Sequence, residues 1–75
     1  MKNATIKTLE IQLSRVAGVS VEITIRGERK FTYSFDGDNE SAVSALKNYF
    51  GTQGVFSSDS GYDHECDHTC LYHNL

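Results

Sequence analysis

Thr8-Leu9-Glu10-Ile11-Gln12-Leu13-Ser14-Arg15-Val16-Ala17-Gly18-Val19-Ser20-Val21-Glu22-Ile23-Thr24-Ile25-Arg26 is the stretch on which the fold turns. In its first half Leu9, Ile11 and Leu13 alternate with Thr8, Glu10, Gln12 and Ser14. In its second half Val19, Val21, Ile23 and Ile25 alternate with Ser20, Glu22, Thr24 and Arg26. A period of two marks a strand buried on one face, so the alternation predicts two strands joined by a turn near Ala17-Gly18. Beyond them Gly27-Glu28 predicts a second turn. Phe31, Tyr33 and Phe35, alternating with Thr32 and Ser34, then predict a third strand.

The period next lengthens to that of a helix. Asp36-Gly37-Asp38-Asn39 is a turn cluster ending in N-cap residue types. After it Ala42, Val43, Leu46, Tyr49 and Phe50 form one stripe, Ser41, Ser44, Lys47 and Asn48 take the other side, and Gly51 is a stop. Neither layer can bury its apolar face alone. The expected fold is therefore α+β, a three-stranded antiparallel meander packed against one helix (β-β-β-α) over residues 1–51. Residues 52–61, rich in glycine and serine, read as a loop anchored by Val55 and Phe56. Residues 62–75 read as a tail of the same single domain.

That tail holds all the histidine and cysteine of the 75-residue chain: His64, Cys66, His68, Cys70 and His73, interleaved with Asp63, Glu65 and Asp67. Imidazole and thiolate suit zinc and its neighbours in the transition series. A domain this small buries only about 60% of the surface its unfolded chain exposes, which gives a metal or disulfide staple a structural motive. On an extended strand alternate ligands stand ~7 Å apart, too far to share one tetrahedral ion. On a helix Cys66, Cys70 and His73 fall on one side and His64 and His68 on the other. A turn folding back on itself would close a shell around both cysteines. The expectation is a zinc knuckle with Cys66, Cys70 and His73 at its centre. The fourth ligand comes from His64, His68, Asp63 or a neighbouring chain, the last making a homodimer that shares the metal. The alternative is a solvated surface tail with idle or oxidised cysteines; a Cys66–Cys70 disulfide is a lesser one, weakly stabilising because its loop is short.

Seven Lys and Arg stand against ten Asp and Glu, for a formal net charge of −3. That balance argues against nucleic-acid binding, which needs a basic face. The signs are segregated: Lys2, Lys7, Arg15, Arg26, Arg29 and Lys30 lie early, whereas Asp36, Asp38, Glu40, Asp59, Asp63, Glu65 and Asp67 are accompanied only by Lys47. An acidic second half suits a basic partner. No apolar run approaches the ~20 residues of a membrane span, and Met1-Lys2-Asn3 leads into no apolar signal segment, so a soluble, cytoplasmic protein is expected.

His64-Glu65-Cys66-Asp67-His68 resembles the H-E-x-x-H motif of the zincin metalloproteases. In that family both histidines bind zinc and the glutamate activates its water, which would make His64 and His68 ligands and Glu65 the base. Leu71 and Asn74 stand where the metzincin extension has glycine and histidine. Asp36, Asp38 and Glu40 imitate the start of an EF-hand loop, but Ser41 replaces its glycine and Lys47 its bidentate glutamate. Tyr33, Tyr49 and Tyr62 could stack on nucleobases, yet in an acidic chain they read as packing residues. Together these features predict a small non-enzymatic protein, regulatory or inhibitory, that binds a protein partner through a zinc-shaped tail and is similar in general character to small acidic proteins of phages and mobile elements. The alternatives are a metal-handling or sensing protein with an exposed His/Cys tail, and a minimal zinc hydrolase.

Overall fold

The computed structural model describes residues 2–75, in the order α1 (Lys2–Ala17), β1 (Glu22–Gly27), β2 (Lys30–Asp36), α2 (Glu40–Phe50), β3 (Val55–Phe56), β4 (Gly61–Asp63) and β5 (His68–Asn74). The α+β class stands, with two helices and an antiparallel sheet in place of one helix and a three-stranded meander. Among the described residues no helix is long and apolar enough to cross a membrane.

The first expected strand is a helix. From Lys2 to Ala17 the chain contains no glycine or proline and is rich in Leu, Glu, Gln, Lys and Arg, all good helix formers. Leu9 and Leu13 satisfy either period, but they lie only about 40° apart around a helix, whereas Ile11 lies about 200° from Leu9. Ile6, Leu9, Val16 and Ala17 join Leu13 on the packed side. Leu13 is fully buried and Ile11 is 56% exposed. The turn expected at Ala17-Gly18 is the helix's C-terminal cap: Gly18, at φ 75°, donates its N–H to the Ser14 carbonyl at 2.9 Å.

The remaining expectations hold more closely. β1 and β2 form a hairpin about Glu28-Arg29, with Ile23 opposite Tyr33 and a bulge between Ile25 and Gly27. The α2 helix starts where Asn39 Oδ1 accepts the Ala42 N–H at 3.1 Å, and stops where the Gly51 N–H reaches the Lys47 carbonyl. Its buried line is Ala42, Leu46 and Phe50, while Tyr49 is largely exposed.

Residues 52–75 fold differently from the expected loop and tail. β5 enters the sheet beside β2, pairing Phe31 with His73, Tyr33 with Leu71 and Phe35 with Thr69. β3 and β4 both pair with the other side of β5, so the sheet order is β1-β2-β5 followed by this broken outer strand. One core joins Leu13 of α1, Ala42, Leu46 and Phe50 of α2, and Ile23, Tyr33, Phe35 and Leu71 of the sheet. Both helices therefore cover the same face. Thr24, Ser34, His68, Cys70 and Tyr72 look out from the other.

A helical α1 separates two neighbouring substitutions that a strand would treat alike. Leu13→Ala is expected to cost about 2–5 kcal/mol in urea unfolding, whereas Ile11→Ala should stay within about 0.5 kcal/mol of the wild type.

Candidate functional site

Strand alternation sorts the expected metal ligands. Along β5, Thr69, Leu71 and His73 are buried on the helix-covered face, and His68, Cys70 and Tyr72 are half-buried on the open face. His64, Glu65 and Cys66 occupy the exposed β4–β5 turn. The trio expected to be central, Cys66, Cys70 and His73, is thus divided between a turn and opposite faces of one strand. The helical spacing that grouped them does not apply, because the segment is extended. Among the described residues no group of three or more His, Cys, Asp or Glu side chains is placed to hold a metal ion. As placed, the donors do not fit a zinc shell.

His73 has been drawn into the core. It is fully buried, stacked on Phe56 with ring centroids 4.3 Å apart, and 4.6 Å from the Phe50 centroid. Nε2 lies 2.7 Å from the Gln53 carbonyl, which can only accept, so Nε2 carries the proton. Nδ1 then accepts the Tyr33 hydroxyl, also at 2.7 Å. Both ring nitrogens are engaged within the protein. The loop before β3 must pass close over this ring: Gly54 sits at φ 73°, and a Cβ there would lie 2.8 Å from His73 Nε2 and strike the Asn74 carbonyl. The ligand role expected of His73 is replaced by a place in the core. The signal that places it was the alternation Thr69, Leu71, His73, legible only if the segment is read as a strand.

The cysteines are free thiols. Burial pushes the Cys70 thiol up, a hydrogen bond with Tyr72 opposes this, and the charges of Asp63 and Cys66 add to the rise. Cys70 is therefore the poorer nucleophile.

The β4–β5 turn carries the chemistry that remains outside. Asp63 Oδ1 accepts the Glu65 N–H at 2.9 Å, Tyr62 donates to Asp67 Oδ1 at 2.7 Å, and Asp67 adopts φ 52°. The Gly37 N–H donates to the Asp67 carbonyl and Thr69 Oγ1 to the Gly37 carbonyl, both at 2.8 Å. These bonds tie the turn to the β2–α2 connection. Asp36 and Asp38 there join Asp63, Glu65 and Asp67 at one end of the sheet, and Asp36, His68 and Asp63 are aligned across three strands. The hydrogen bond to Asp67, followed by burial and the charges of Asp67, Asp38 and Asp63, raises the Tyr62 hydroxyl above its ordinary range. Among the described residues no lysine or arginine forms an ion pair with this group. The acidic second half is legible in the sequence, whereas the meeting of two separate turns is not.

Comparison with protein-family models, with curated proteins and with solved structures finds no match for this chain.

The buried Tyr33 hydroxyl has a pH signature. Burial pushes the Tyr33 hydroxyl up to about 12, from its ordinary 10.0. A folded-state value above the unfolded one means stability is complete below pH 10 and lost as pH rises towards 12. The loss should reach up to ~3 kcal/mol. Unfolding curves for wild type and Tyr33→Phe across that window should differ in slope, the variant lacking this share of the alkaline loss. In the native protein, mass mapping after brief iodoacetamide treatment should find Cys66 modified well before Cys70.

Proposed function

We propose that this protein is a non-enzymatic binding module whose acidic sheet end engages a basic segment of a partner protein. The observation that carries this reading is the meeting of Asp36, Asp38, Asp63, Glu65 and Asp67 across two hydrogen-bonded turns, with no cation of this chain paired to them among the described residues. Such a cluster holds like charges together against their repulsion, and an incoming Lys or Arg relieves it. Polarity along the strands adds orientation. β2 starts at Lys30, beside Arg29, and ends at Asp36, so opposite charges stand about 20 Å apart along a seven-residue strand. A partner carrying the reverse polarity is steered into one alignment.

The probe is a synthetic Lys/Arg-rich peptide titrated by calorimetry at low and physiological salt. Asp36, Asp38 and Glu65 are exposed, and their side chains make no hydrogen bond among the described residues. The triple variant Asp36→Asn/Asp38→Asn/Glu65→Gln should melt no lower than the wild type and bind about tenfold more weakly, from ~0.5 kcal/mol per rim charge. Wild-type affinity should also fall as salt rises. Unchanged affinity in the triple variant would overturn the reading. Native mass spectrometry before and after chelation tests the metal alternatives separately: tightly held stoichiometric zinc would return the function to the His/Cys segment.

A further inference from the structure

We propose that β1 is a self-pairing edge through which two copies of this chain join their sheets antiparallel about Thr24. The sheet has one long edge among the described residues. On its other side β3 and β4 are short and separated by residues 57–60, whereas β1 runs unbroken from Glu22 to Ile25. The Ile23 N–H donates to Glu10 Oε2 at 2.8 Å and not to β2. In an antiparallel ladder hydrogen-bonded and non-hydrogen-bonded pairs alternate, so Ile23 and Ile25 both direct their backbone groups away from β2. Those are the groups a further strand would use.

The sequence of the edge fits a second copy of itself. Glu22-Ile23-Thr24-Ile25-Arg26, run antiparallel against its own copy with Thr24 on the twofold axis, sets Ile23 against the other chain's Ile25 and Glu22 against its Arg26. The isoleucine pairs are the ones whose backbones point outward, so register and hydrogen-bond direction agree. The carboxylate and guanidinium are complementary and exposed. Ile25, on the helix-covered face yet 52% exposed, would be covered by its counterpart. A two-fold contact of this kind closes on itself and forms no fibre.

Glu10 is the gate on this edge. Its carboxylate occupies the Ile23 amide, and Ser14 Oγ, itself donating to the Glu10 carbonyl, accepts the Val21 N–H at 2.8 Å. The α1 helix thereby protects the edge at its start, as edge strands require. In each chain pairing displaces one carboxylate from one amide, and the hollow bordered by Glu10, Ile11, Ser14 and Val19 gives that side chain room to withdraw. Arg26 must likewise leave the Tyr72 ring, whose centroid is 5.0 Å from its guanidinium carbon. The contact is small, and a reversible dimer results.

Sedimentation velocity from micromolar to submillimolar concentration tests this. Wild type should show a reversible monomer–dimer equilibrium. Arg26→Glu, which places Glu22 against a second carboxylate, should weaken the dimer about tenfold or more. The double reversal Glu22→Arg/Arg26→Glu should restore it. Glu10→Ala should strengthen it about tenfold by freeing the Ile23 amide. If that variant fails to fold by circular dichroism, the charge-reversal pair decides alone, since both positions are exposed. Monomer throughout, or a dimer indifferent to charge reversal, would overturn the proposal.

Discussion

The pairing of β5 with β2 is the constraint on which the remainder depends. It joins residues 30–36 to residues 68–74, and neither strand can be completed before the last part of the chain arrives. Once made, it sets Leu71 beside Tyr33 under α2 and offers an edge to β3 and β4. Contacts this distant in sequence carry a large loop-closure cost and are compensated only when the whole apolar face is covered. The small core of Leu13, Ile23, Tyr33, Phe35, Leu46, Phe50 and Leu71 supplies that cover.

Placing β5 in the sheet interior also divides its chemistry. Successive side chains go to opposite faces, so a run that looks like one ligand set becomes a buried row and an open row. His73 in the buried row could not remain a polar group without partners. The Tyr33 hydroxyl and the Gln53 carbonyl satisfy it, and the aromatic rings of Phe50 and Phe56 enclose it. A residue rich in chemistry has become packing. His64 and Cys66, one turn away, remain exposed because the hairpin reverses there.

The sheet then presents surfaces of different character. Its acidic end gathers carboxylates from turns far apart in sequence, and the polarity of β2 separates that end from Arg29 and Lys30. Its β1 edge is partly closed by side chains from α1, and that edge carries self-complementary charges. Neither feature depends on metal, and each follows from how strands are ordered. The helix-free outer face, with Thr24, Ser34 and Cys70, lies between them.

Local signals were sufficient for some elements. The caps Asn39 and Gly51 and the stripe Ala42, Leu46, Phe50 specified α2, since capping and amphipathicity act within a few residues. Alternation specified β1 and β2 for the same reason. It misassigned Thr8 to Ser14, where Leu9 and Leu13 fit both periods. The side of Ile11 is decided by packing of α1 against α2 and by Glu10 and Ser14 reaching the Ile23 and Val21 amides. The composition of residues 62–75 suggested a ligand cluster, and pairing of residues 68–74 with β2 placed half of them in the sheet interior. What the sequence alone determined about this protein is therefore α2, the hairpin, the segregation of charge and the inventory of reactive side chains. Tertiary structure decided the character of α1, the central position of β5 and which of those side chains meet, because strand order depends on burial shared across the whole chain and no short window of residues contains it.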